Sequence, residues 1–142
     1  MFENTKTIPK NKKLILFDGL CNLCNNAVLK IIRQDKNDIF LFTSIQSNVG
    51  KNIINELGID ISKIDSIVLY IPGGNYFIKS EAVFKIANEF KGAWKIIQIF
   101  RIFPDFLNNL FYDFVARNRY RWFGKKKECM IPSKKLNSKF LN

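Results

Sequence analysis

The sequence predicts an α/β domain with elements in the order β-α-β-α-β-β-α and extra C-terminal helices. Three observations carry this expectation. Two short apolar runs, Leu14-Ile15-Leu16-Phe17 and Ile39-Phe40-Leu41-Phe42, flank a segment whose apolar residues recur at helical spacing. Two β-prone runs, Ser66 to Ile71 and Tyr76 to Lys79, enclose the turn Pro72-Gly73-Gly74-Asn75, which is the pattern of a β-hairpin. The chain has 142 residues, 47% hydrophobic and 25% charged, which suits one globular domain with a real core.

The first run ends at Asp18-Gly19, a turn signal, and reads as a buried strand feeding a loop. From Cys21 to Gln34, Leu23, Cys24, Ala27, Val28, Ile31 and Ile32 follow a helical period. Asp35 to Asp38 is a polar break before the second strand. Ser47 or Asn48 can cap a helix running to about Leu57, and Gly58 stands where a C-terminal glycine belongs. After the hairpin, Ser80 opens a helix that ends near Gly92. A parallel βαβ unit followed by a hairpin and a helix is the element order of the thioredoxin-like fold, with a right-handed first crossover.

Trp94 to Phe103 is apolar and compatible with a helix. Pro104 interrupts it and suits the first turn of another, over Asp105 to Trp122. Within that helix Phe106, Leu107, Leu110, Phe111, Phe114 and Val115 are expected to be core or packing residues. The domain is thus expected to have a core over about 13–92, a helical extension over about 93–132, and frayed ends at 1–10 and 133–142.

The net charge is +11 and uneven: residues 111–142 hold 9 Lys+Arg against 2 Asp+Glu. Such an end can solvate the chain or meet an acidic partner or anionic lipid. Residues 1–13 lack the apolar stretch of about 7–15 residues found in signal peptides. No apolar run reaches the roughly 18 residues of a membrane span. The compartment expected by default is the cytosol, where cysteines are more often catalytic or metal-binding than structural.

There are three cysteines and no histidine, which excludes a Cys–His dyad, a Ser–His–Asp triad and a His-ligated zinc site within this chain. Cys21 and Cys24 lie three apart at a strand-to-helix junction. Residues at i and i+3 share a helix face, which suits disulfide formation, and a helix N-terminus favours a thiolate. The reading is a dithiol pair in which Cys21, the more exposed, attacks a disulfide and Cys24 resolves the mixed disulfide. Asp18 has two readings: a proton relay for Cys24, or a loop carboxylate capping nearby N–H groups. Half of a zinc site would need ligands beyond Cys129, and no cofactor or metal is expected.

The run Leu16-Phe17-Asp18-Gly19-Leu20-Cys21-Asn22-Leu23-Cys24 resembles the signature of the DCC family of thiol–disulfide oxidoreductase-like proteins, named for an Asp and two Cys. Gln46-Ser47, Ser66-Ile67-Val68-Leu69, Ser80 and Ala82 also fit. So does the C-terminal set Tyr112-Asp113, Ala116-Arg117-Asn118-Arg119-Tyr120-Arg121, Phe123-Gly124, Cys129 and Pro132. The resemblance implies a thioredoxin-like fold and dithiol–disulfide chemistry. The chain departs from ordinary thioredoxins in lacking Trp-Cys-Gly-Pro-Cys and in carrying Asp65-Ser66 where those proteins place a cis-proline. Arg117, Arg119 and Arg121 either approach Cys21 or an anionic substrate, or serve as salt-bridging and solvating charges, and their alternate spacing keeps all three from sharing one face. Cys129 reads as a redox thiol, a metal ligand or a small buried hydrophobe.

The expected function is thiol–disulfide oxidoreduction, acting as a protein-disulfide reductase on a protein or small-molecule disulfide with an unspecified electron donor. The alternative is a non-catalytic thioredoxin-like module that docks a partner or an anionic membrane through the basic aromatic segment. Nucleic acid is not an expected partner, because no reading motif is present.

Overall fold

The computed structural model describes residues 8–60, 67–73, 75–90, 92–124 and 140. Its strands are β1 (Lys13–Phe17), β2 (Phe40–Ser44), β3 (Val68–Ile71) and β4 (Asn75–Ile78), and its helices α1 (Asn22–Gln34), α2 (Asn48–Glu56), α3 (Lys79–Ala87) and α4 (Asp105–Phe123). A 3-10 helix, Gly92–Ile102, precedes α4. The strands form one sheet in the order β2-β1-β3-β4. β1 pairs parallel with β2 and antiparallel with β3, and β3 pairs antiparallel with β4. The expected element order and the thioredoxin-like α/β architecture are present.

The continuous apolar run of β1 is explained by burial on both sheet faces. Ile15 and Phe17 point to one side, where they pack with Val28 and Ile31 of α1 and Ala82 and Ile86 of α3. Leu14 and Leu16 point to the other, where they pack with Ile53 and Ile54 of α2. Ser47 caps α2 by accepting from the Gly50 N–H at 2.9 Å. Gly58 follows that helix with φ of 70°, a backbone state that glycine adopts without strain.

Several expectations need correction. α3 begins at Lys79, one residue before Ser80, and no side chain caps it. The Ser80 hydroxyl instead donates to Asn109 Oδ1 at 2.6 Å, fixing α3 to α4. The helix ends at Ala87 rather than near Gly92. Two residues of the expected frayed ends are packed. Ile8 is buried in the core on the α2 side of the sheet. Phe140 bridges Phe42 beside β2, its ring 6.1 Å from that of Phe17 and 5.8 Å from that of Phe42.

The largest correction concerns α4. Phe106 (70% exposed), Leu110 (65%), Phe111 (70%) and Phe114 (57%) are on the surface rather than in the core. Helical periodicity shows which residues share a face. It does not show that the domain supplies something to cover that face. α4 is held at other positions: Asp113 pairs with Lys79 at 3.0 Å, and the Tyr112 hydroxyl accepts from the Ile67 N–H at 3.2 Å.

Candidate active site

The parallel register of β1 and β2 builds the site. Phe17 lies opposite Ser44, so both strands end at the same level and their following loops are neighbours. The Ile45 N–H continues the ladder to the Phe17 carbonyl at 2.9 Å. Next along, Gln46 grips the cysteine loop at two points. Its Nε2 donates to Asp18 Oδ1 at 2.7 Å, and its Oε1 accepts from the Gly19 N–H at 2.9 Å. The Ser44 hydroxyl also donates to Gln46 Oε1, which sets the amide orientation.

Asp18 is buried. Its Oδ1 also accepts from the Leu20 N–H at 3.0 Å, and its carbonyl accepts from the Cys21 N–H at 3.2 Å, closing a tight turn. The capping reading of Asp18 is therefore present in the geometry. Asn25, buried in the first turns of α1, donates through Nδ2 to the Gly19 carbonyl at 3.0 Å. Its Oδ1 is buried with no hydrogen-bond partner among the described residues.

Cys21 is the N-cap of α1, and its sulfur accepts from the Cys24 N–H at 3.4 Å. A sulfur replaces the usual hydroxyl or carboxylate oxygen of a cap, so it meets a donor that stabilises negative charge. No disulfide joins Cys21 and Cys24 in this structure. Their exposure is the reverse of the expected one. Cys21 is fully buried, while Cys24 is half-buried and reaches the surface.

The other candidates stand apart from this geometry. Arg117 and Arg121 are exposed on α4. Cys129 and Asp65-Ser66 lie outside the described residues, as does the side chain of Arg119. Among the described residues no group of three His, Cys, Asp or Glu side chains is placed to hold a metal ion. Sequence reasoning gave Gln46 no role beyond the family resemblance and missed Asn25. The register would have indicated Gln46, because residues just beyond two in-phase parallel strands must meet.

A four-stranded mixed sheet with helices on both faces is a thioredoxin-like architecture, and a pair of cysteines stands at the N-terminus of its first helix. The model of the DCC1-like thiol-disulfide oxidoreductases matches residues 15–125, and the chain belongs to that family. It is 40% identical over 129 residues to the uncharacterized protein YuxK of Bacillus subtilis (strain 168), covering 91% of this chain and 93% of that one. It is 36% identical over 131 residues to a chloroplastic DCC family protein of Arabidopsis thaliana, covering 91% of this chain and 76% of that one. No solved structure matches the chain. The family name points to a redox role. Among the described residues no helix is long and apolar enough to cross a membrane.

Proposed function

We propose that the chain is a thiol–disulfide oxidoreductase that cycles Cys21 and Cys24 between dithiol and disulfide, reducing a disulfide in a protein or a small molecule. The observation that carries this reading is the Cys24 N–H donated to the Cys21 sulfur at the helix N-terminus, over a loop fixed by Asp18 and Gln46. Family membership supports it.

The exposure of the two residues, Cys21 buried and Cys24 half-buried, supports one order of events. Cys24, as its thiolate, attacks one sulfur of the substrate disulfide. That S–S bond breaks, and the departing substrate thiolate takes up a proton. The Cys21 thiolate then attacks Cys24 Sγ in the mixed disulfide. The second substrate sulfur leaves and is protonated, a Cys21–Cys24 disulfide forms, and two electrons have passed to the substrate. A small thiol or dithiol reductant restores the pair by the reverse exchange. Asp18 acts as a positioning residue for the loop. A cytosolic setting would keep the pair reduced and favour the reductase direction.

The test uses glutathione disulfide and single Cys→Ser variants, read by mass. Cys21→Ser should accumulate a mixed disulfide on Cys24, and Cys24→Ser should not trap one. Trapping on Cys21 instead would reverse the order of attack. Full disulfide reductase activity in the double variant would end the redox reading. The wild-type pair should titrate as a two-electron couple between about −120 and −270 mV, the span of known dithiol catalysts.

A further inference from the structure

We propose that the 3-10 helix and α4 form a docking face for an anionic lipid bilayer, a surface that does not depend on the redox reading. The 3-10 helix runs for eleven residues, Gly92–Ile102. With three residues per turn its side chains line up in straight edges. Ile96, Ile99 and Ile102 form one edge and are 60%, 58% and 79% exposed. Lys95 and Arg101, both exposed, lie on the adjoining edge. Gln98 and Arg101 of that edge also meet α3, the amide donating to the Phe84 carbonyl at 2.8 Å and the guanidinium lying 5.7 Å from the Phe84 ring. On the third edge Trp94 packs its ring 5.1 Å from that of Phe90, while Phe100 is 50% exposed.

Across the Pro104 turn the pattern continues on α4. Phe106, Leu110 and Phe114 stand four apart on one stripe, all more than half exposed. The same stripe runs on to exposed Arg117 and Arg121. The Trp122 ring lies edge-on to Phe114 at 5.5 Å. Between α3, the 3-10 helix and α4 is a cleft of about 500 Å³, lined by Phe84, Phe100, Phe103 and Phe111. Polar groups at its wall are already engaged: Ser80 with Asn109, and Asn108 with the Phe100 carbonyl at 3.0 Å. The cleft therefore selects an apolar filler.

Charge decides the occupant. Residues 92–124 contain five Lys or Arg against Asp105 and Asp113, and Asp113 is neutralised by Lys79. Asp105 lies in the first turn of α4, where the helix dipole favours a carboxylate. A second copy of this +11 chain would set arginines against arginines. An anionic bilayer offers the complement: phosphates for the basic edge and hydrocarbon for isoleucine and phenylalanine. Such a face lies on the membrane and does not span it.

The experiment is co-sedimentation of the full chain with vesicles. Equal parts phosphatidylglycerol and phosphatidylcholine are compared with phosphatidylcholine alone. Binding is expected only to the anionic vesicles, weakening as salt rises. The exposed-site variant Ile102→Ser/Phe106→Ser should weaken it about tenfold or more, with an unchanged circular dichroism spectrum. Arg117→Glu/Arg121→Glu should weaken it as well. The proposal is overturned if neither vesicle binds or both bind equally. It is also overturned if the serine variant binds like the parent, since basic charge alone would then suffice. Sedimentation showing a dimer that the serine variant dissolves would assign the face to a second copy.

Discussion

The Gln46 side-chain amide donates to the Asp18 carboxylate at 2.7 Å, tying the loop after β2 to the loop that carries the cysteines. Hydrogen bonds to a carboxylate are worth about 1.5–3 kcal/mol net. Gln46→Leu is expected to lower the unfolding free energy by about that amount, read by urea denaturation. It should also speed modification of the native thiols by a disulfide reagent, because the Gly19 N–H loses its anchor at the same time.

In native protein, iodoacetamide should modify Cys24 before Cys21, since Cys24 alone of the two reaches the surface. Peptide mass mapping after brief exposure checks the order. In denaturant the two should react alike, which would attribute the difference to burial.

Asp35 starts β2 from below. Its Oδ1 accepts from the Ile39 N–H at 2.8 Å and its Oδ2 from the Phe40 N–H at 2.9 Å, both from a buried position. Asp35→Ala leaves these donors without their acceptor and should cost about 2–4 kcal/mol. The midpoint of chemical unfolding should fall while the reduction potential of the pair stays close to that of the parent.

Gly50 marks a close approach of α2 to β2. A Cβ there would lie 2.0 Å from the Ser44 carbonyl oxygen and 2.9 Å from its carbon, both backbone atoms. Gly50→Ala should destabilise by about 3 kcal/mol or more through overpacking, and much of the protein should be insoluble on expression. Gly58→Ala is the control. A Cβ there meets open space, so only the left-handed conformation is penalised, at about 1–2 kcal/mol.

The sheet and the cysteine junction were legible in the sequence because local signals fix them. An apolar run bounded by Asp18-Gly19 specifies a buried strand and its end, and Ser47 with Gly58 brackets α2 by capping chemistry. Three things were not legible, each because it depends on what lies opposite. Exposure at Phe106 and Leu110 depends on whether another element covers them. The burial of Cys21 relative to Cys24 depends on what packs over the loop at the start of α1. The packing of Ile8 and Phe140 depends on long-range contacts that no local pattern near the ends encodes.

The position of Phe140 beside Phe42 bears on self-association through the sheet. β2 is an outer strand, rich in phenylalanine, and an open strand edge is a template on which another chain can add. The backbone bridge at Phe42 occupies part of that edge. Ring and backbone therefore do different jobs. Phe140→Ala removes ring contacts and should cost about 1–2 kcal/mol of stability, measured by thermal melting. Ending the chain before Phe140 also bares the edge, and its signature should be aggregation on storage beyond what the lost stability predicts.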